Sequence, residues 1–145
     1  DSAQQDTAQQ DTVQLTVLQA DATDLELLPT AFGITAGEQG TVEPFLDLFL
    51  SNPPYVPESS WVDEETKQDP HMAVFGGDDG MSLMPALFQQ ANRYLRAGGA
   101  LMIEHDDTTG EAMRTLAAQY PRLSEIETVQ DYTQRDRFLR ALVRV

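Results

Sequence analysis

Apolar residues are sparse up to position 12 and then fall into a few well-separated runs. Val13, Leu15, Val17 and Leu18 alternate with polar neighbours up to Gln19-Ala20-Asp21, which predicts a strand over 13–19. Phe45 to Leu50 is nearly continuous apolar sequence broken by Asp47. It predicts a strand covered on both faces and stopped by Ser51-Asn52-Pro53-Pro54-Tyr55. Between the two, 22–28 predicts a short helix or turn, and 29–44, with three glycines, a loop. Leu83, Leu87, Ala91, Tyr94 and Leu95 recur at helical spacing, with Ser82 as the cap, Pro85 in the first turn and Gly98-Gly99 as the stop. Ala100 to Ile103 predicts a buried strand running into Glu104-His105. Thr108 and Glu111 have the spacing of a capping box for a helix through Leu116 to Tyr120, stopped by Pro121. Ile126–Val129 and Phe138–Val143, with polar Asp131 to Asp136 between them, predict an antiparallel pair at a sheet edge. Strand–helix–strand–helix alternation with a terminal hairpin predicts an α/β fold whose sheet is mostly parallel.

Two polar stretches change this picture. The chain begins DSAQQ-DTAQQ-DTVQ, a five-residue repeat with almost nothing to bury. Residues 1–12 therefore read as a low-complexity linker or insertion, with ordered sequence expected before it. Residues 57–80 form a long polar connection containing Trp61, Asp69-Pro70 and Gly76-Gly77, and a connection of that length in a compact domain is usually functional.

Charge narrows the classes of partner. Twenty-four acidic residues against nine basic ones give the 145-residue chain a net charge of −15. Such a surface disfavours nonspecific binding to nucleic acid and to anionic membranes. The absence of cysteine removes disulfides, thiolate metal sites and cysteine nucleophiles. No apolar run is long enough to cross a bilayer and no signal peptide opens the sequence, so a soluble cytoplasmic protein is expected.

The chemistry concentrates in LFLSNPPY. In open α/β sheets, ligands bind at the carboxyl ends of strands, and Asn52 stands at such an end. Pro53 and Pro54 stiffen the turn and carry no N–H. The side-chain carbonyl of Asn52 and a free backbone carbonyl would then present two acceptors to one point, which suits a substrate NH₂ group. Tyr55 adds an apolar or stacking wall. The plainer alternative is a strand ending in a Pro-Pro turn, with Asn52 satisfying local backbone.

Asn52, Pro53, Pro54 and Tyr55 resemble the fourth motif of class I S-adenosylmethionine-dependent methyltransferases that modify planar amino or amide nitrogens. Alone, that tetrapeptide is shared by adenine, ribosomal guanine and protein-glutamine methyltransferases. Together with SNPPYVPE, DP before AVFGGDDG, LRAGGALMIEH and DYTQRDRF, it resembles the HemK/PrmC family. Members of that family methylate the glutamine of the Gly-Gly-Gln motif in peptide-chain release factors. The resemblance covers about residues 13–143. It implies a partial Rossmann-like class I methyltransferase sheet, with 13–145 as the carboxyl-terminal part of the catalytic domain. Residues 13–19 would be the family's third strand, 45–50 the fourth, 100–103 the fifth, and the tail the sixth and seventh. The family's glycine-rich cofactor loop, its first two strands and its helical substrate-recognition domain are expected upstream, since the chain has no G-x-G-x-G.

The resemblance also assigns residues. Asn52, Pro53, Pro54 and Tyr55 fall on the substrate-amide motif, with Asn52 also close to the methyl donor. Asp21 falls where the family contacts the adenine of S-adenosylmethionine, and Ala22 stands where a bulky neighbour is usual. Asp69-Pro70 matches an acidic residue and proline in the loop that closes over the substrate. Glu104 and His105 receive a structural role, and His71 has no partner at metal-ligand spacing, so no metal is expected. The implied partner is a release factor, with no direct contact to nucleic acid or membrane. The alternatives are an amino methyltransferase acting on ribosomal RNA or DNA, and a non-catalytic module. The family's strand order further implies that 45–50 is left as an open edge, to be paired by 13–19 or by a second copy of the chain.

Overall fold

The computed structural model describes residues 15–37 and 40–145. Its centre is a four-stranded sheet built from β1 (Leu46–Ser51), β2 (Leu95–Glu104), β3 (Leu123–Gln130) and β4 (Asp136–Val143), in the order β1-β2-β4-β3. β1 and β2 are parallel, whereas β4 runs antiparallel to both β2 and β3. The α/β class and the terminal hairpin are as expected, but the sheet is not mostly parallel: of its three pairings only that of β1 with β2 is parallel. Within the hairpin β3 takes the edge and β4 an inner place, because the apolar positions of β4 (Leu139, Ala141, Val143) are all buried.

Among the described residues four α-helices accompany the sheet: α1 (Leu28–Ala31), α2 (His71–Val74), α3 (Met84–Tyr94) and α4 (Gly110–Ala117). α3 packs on β2, and α4 packs on β3, β4 and α3. The predicted stripe of α3 is present and widened by Met84 and Phe88, both fully buried with Leu87, Ala91 and Tyr94. Burying a side chain the size of Met84, Leu87 or Phe88 contributes about 1.5–3 kcal/mol before entropy is charged against it. Their counterparts in the core are Leu95, Leu101, Ile103, Met113, Leu139 and Ala141.

Several local expectations are corrected. Residues 15–20 form no strand, and Leu15 and Val17 are each 85% exposed; Val13, Gln14 and the 1–12 repeat lie outside the described residues. A strand needs a ladder to satisfy its N–H and C=O groups, and no described strand pairs with 15–20. Of the helix or turn expected over 22–28 the segment takes turns, at 22–23 and 26–27, and α1 begins only at Leu28 and enters the supposed loop, with Pro29 in its first turn, where the missing N–H is harmless. β1 is covered on one face only: Phe49 is buried, whereas Leu48 and Leu50 are 51% and 63% exposed. Ser82 does not cap α3: the N-cap is Leu83, no side chain caps the first turn, and the Ser82 N–H bonds the carbonyl of Gly76 (3.0 Å). α3 ends at Tyr94 and runs straight into β2, so Gly98 and Gly99 lie inside the strand. There they absorb a register irregularity between Leu46↔Leu95 and Leu48↔Ala100. A Cβ on Gly99 would lie 2.9 Å from the carbonyl of Arg96 and 3.1 Å from that of Leu46. The Thr108–Glu111 capping box is replaced by an Asp106 turn, in which Asp106 Oδ1 accepts from the N–H (2.9 Å) and hydroxyl (2.5 Å) of Thr108.

Candidate functional site

The site begins where β1 ends. Ser51 pairs with Ile103, so the chain emerges as Asn52-Pro53-Pro54-Tyr55 beside the carboxyl end of β2. Pro53 is buried and Asn52 exposed, and the Asn52 side chain bonds to none of the described residues. An amide bonded to the turn itself, the plainer reading of the sequence, is therefore not what the fold contains.

The polar connection after the turn folds back onto it. Val56 bridges Phe75 in parallel, with its N–H on the carbonyl of Val74 (3.1 Å) and its carbonyl accepting from Gly76 (2.9 Å). Gly76 and Gly80 then press on the turn: a Cβ would come within 2.5 Å of the Pro54 carbonyl oxygen at Gly76 and 2.1 Å of the Tyr55 carbonyl oxygen at Gly80. Gly80 also has a φ of +73°, a backbone that side chains disfavour. Residues 57–80 are thus less a free loop than a brace, with a 3₁₀ turn at Thr66–Gln68 and α2 built in.

Tyr55 is anchored from the far side of the sheet. Its hydroxyl donates to Glu104 Oε1 (2.6 Å) at the end of β2, and the Arg137 guanidinium lies 6.0 Å from its ring centre. Arg137 in turn pairs with Asp131 (3.4 Å) in the β3–β4 turn. Burial first, and the Glu104 carboxylate second, push the Tyr55 phenol up to about 12. The Asp131 carboxyl is held at about 2, chiefly by the Thr133 hydroxyl. Glu104 and Arg137 were not among the site residues chosen from sequence. The signals available were the position of Glu104 at a strand end and of Arg137 within the DYTQRDRF block.

Three cavities surround the turn. One of about 180 Å³ is lined by Asn52, Pro53, Pro54, Tyr55 and Val74. Another, about 260 Å³, is lined by Leu50, Asn52, Met102, Glu104 and Phe138. The largest, about 650 Å³, brings Asp21 and Ala22 to the same cleft as Pro54, with His71, Met72 and Phe75. The 21–28 segment is held there by α3, whose Gln90 amide donates to the carbonyl of Thr23 (2.9 Å) and whose Tyr94 hydroxyl donates to that of Leu25 (3.2 Å). Asp21 itself accepts from the Thr23 N–H and hydroxyl, which hold its carboxyl below the usual range. Asp69 and Pro70 line none of the three cavities; they lead into α2 as exposed residues. His71 finds Glu58 (3.1 Å) and stacks on Phe75 with ring centres 4.6 Å apart. His105 is fully buried with Nδ1 on the carbonyl of Asp106 (2.7 Å), as the structural role expected for it requires.

No family model matches the chain. Curated relatives do. A release factor glutamine methyltransferase of Corynebacterium glutamicum is 42% identical over 125 residues, covering 86% of this chain and 41% of its own length. One from Mycobacterium tuberculosis is 36% identical over 127 residues, covering 87% and 38%. One from Deinococcus radiodurans is 37% identical over 105 residues, covering 70% and 36%. The chain spans about two fifths of the length of these relatives.

Proposed function

Given that this chain is consistent with a carboxyl-terminal portion of a HemK/PrmC-type release factor glutamine methyltransferase, we propose that the full-length protein methylates the side-chain amide of the glutamine in the Gly-Gly-Gln motif of peptide-chain release factors. The observation that carries this reading is the free Asn52 amide on a rigid, proline-stiffened turn at the carboxyl end of β1. A carboxamide nitrogen is a poor nucleophile because its lone pair is delocalised into the carbonyl. The Asn52 side-chain oxygen and a backbone carbonyl of the turn accept its two hydrogens, favour a pyramidal nitrogen and aim the lone pair. Catalysis is then positioning and fixed dipoles, and the proton leaves once the methylated nitrogen has become acidic.

Asp21, Ala22 and the apolar walls from Met72 and Phe75 give the large cleft the mixed character that the adenosine end of S-adenosylmethionine requires. That cofactor, when bound, supplies an electrophilic methyl group on a sulfonium. Asn52 orients the acceptor nitrogen toward it, and the Tyr55 ring walls the site. Asp69 and Pro70 belong in this reading to the brace that covers the substrate rather than to the reacting centre.

The test is transfer from tritiated S-adenosylmethionine by the full-length protein, offered either a release factor or ribosomal RNA. Label on the release factor, abolished when its Gly-Gly-Gln glutamine is changed, is the expected result. Label on RNA alone would replace this reading with an amino methyltransferase of nucleic acid. No transfer to either would leave a non-catalytic module.

A further inference from the structure

Four polar side chains from four separate places in the fold meet behind the substrate-facing turn. Glu104 ends β2, Arg137 opens β4, Asp131 sits in the turn between β3 and β4, and Tyr55 closes the Asn-Pro-Pro-Tyr turn. Their contacts form a line: Asp131 to Arg137 (3.4 Å), Arg137 over the Tyr55 ring, and Tyr55 hydroxyl to Glu104 (2.6 Å). Asp131 is fixed independently, since its Oδ1 also accepts from the Thr133 N–H (2.8 Å) and hydroxyl (2.6 Å). The Arg137 side chain is only 19% exposed, so it is held rather than free to follow solvent.

We propose that Glu104 is a positioning residue for methyl transfer: it fixes the Tyr55 ring beside Asn52, and Arg137 and Asp131 extend that hold into the β3–β4 turn. The proposal rests on the methyltransferase reading above. Without the Glu104 contact, the Tyr55 hydroxyl loses its bond to the strand end, and the ring is left to its packing at the edge of the core and to Arg137. Tyr55 then rotates on χ1 and χ2, and the cavity shared by Asn52 and Tyr55 loses its fixed wall. Glu104 suits this task because a carboxylate accepts a short, charge-assisted bond from a phenol. It also lines the cavity on the other side of Asn52, so the turn is held between two surfaces of one strand end. The hairpin, which supplies nothing to the reacting atoms, gains a function: its turn is the outer end of the anchor. This accounts for the DYTQRDRF block, whose Asp131 and Arg137 are the two residues of the line.

The experiment pairs turnover with a signal from Tyr55 itself, in the full-length protein. Glu104→Ala, Glu104→Gln, Tyr55→Phe and the Glu104→Ala/Tyr55→Phe double variant are assayed on a release factor. The Tyr55 signal is assigned by difference in ¹³C-tyrosine NMR against Tyr55→Phe. Glu104→Ala and Tyr55→Phe are each expected to lower kcat roughly 10-fold or more, a typical cost of losing a fixed reacting geometry. The double variant should fall no further than either single one, because both break the same contact. Glu104→Gln keeps an acceptor and should recover most of the turnover. The wild-type Tyr55 midpoint of about 12 moves down in Glu104→Ala, because the carboxylate that helps to raise it is gone, while burial still holds it above the ordinary 10. A Glu104→Ala enzyme with kcat within two-fold of an active wild type overturns the positioning role alone, and so does a Tyr55 midpoint that fails to move. A wild type that transfers no methyl group overturns the methyltransferase reading and the positioning role with it.

Discussion

At the scale of single residues, Asn52 stands apart from its neighbours because it has nothing to hold up. Pro53 is buried, Tyr55 is tied to Glu104, and the Pro54 and Tyr55 carbonyls are approached by glycines, whereas the Asn52 amide bonds to no described residue. Its removal should therefore cost activity and leave the fold alone. In the full-length enzyme Asn52→Ala is expected to lower turnover roughly 100-fold, the usual loss for one preorganised polar contact, with the urea midpoint unchanged. Turnover within a few-fold of wild type would return Asn52 to the rank of a turn residue. Its position was legible in the sequence: an amide between an apolar strand and two prolines was expected at a strand end, and there it stands, exposed. Glu104 was not legible: its role comes from a contact with Tyr55, 49 positions away, and no short-range pattern carries that distance.

At the scale of elements, the brace over 57–80 is where local reading reached least far. Its glycines look like ordinary turn markers, yet Gly76 and Gly80 are required by closeness to the Asn-Pro-Pro-Tyr carbonyls rather than by the turn alone. Gly33 supplies the contrast, with a φ of +68° but nothing within 4 Å of where a Cβ would stand. Gly33→Ala should cost about 1 kcal/mol from backbone conformation only. Gly80→Ala, which adds a collision at 2.1 Å with the Tyr55 oxygen, should cost about 2–4 kcal/mol. Equal costs in denaturant titrations of the two variants would show that the brace yields freely. The helix and strand periodicities were plain in the sequence because they repeat. Over 15–19, the described part of the strand expected at 13–19, no strand forms, because alternation specifies a face but cannot supply the partner that a ladder needs; the cap expected at Ser82 falls one residue early, since α3 is entered from Leu83.

At the scale of the whole molecule, β1 ends the sheet with Leu48 and Leu50 exposed, and its outer N–H and C=O groups face no described strand. Such an edge invites another chain, and the net charge of −15 opposes it. The two effects separate with salt, because the screening length shrinks from about 10 Å at 0.1 M to about 3 Å at 1 M. Residues 1–145 expressed alone should associate more as salt rises, and Leu48→Lys should suppress that association in sedimentation velocity. A monomer at every salt concentration would mean that the edge is protected by its own twist. The strand order carries a different consequence for biosynthesis. β4 lies between β2 and β3 yet follows both in sequence, so the middle of the sheet is made after both of its neighbours. At roughly 5–20 residues per second, β2 leaves the ribosome several seconds before the partner that covers its second edge. Through that interval the nascent chain holds an unfinished ladder, and a ribosome stalled before Leu139 would leave the β1–β2 pair with its second edge open.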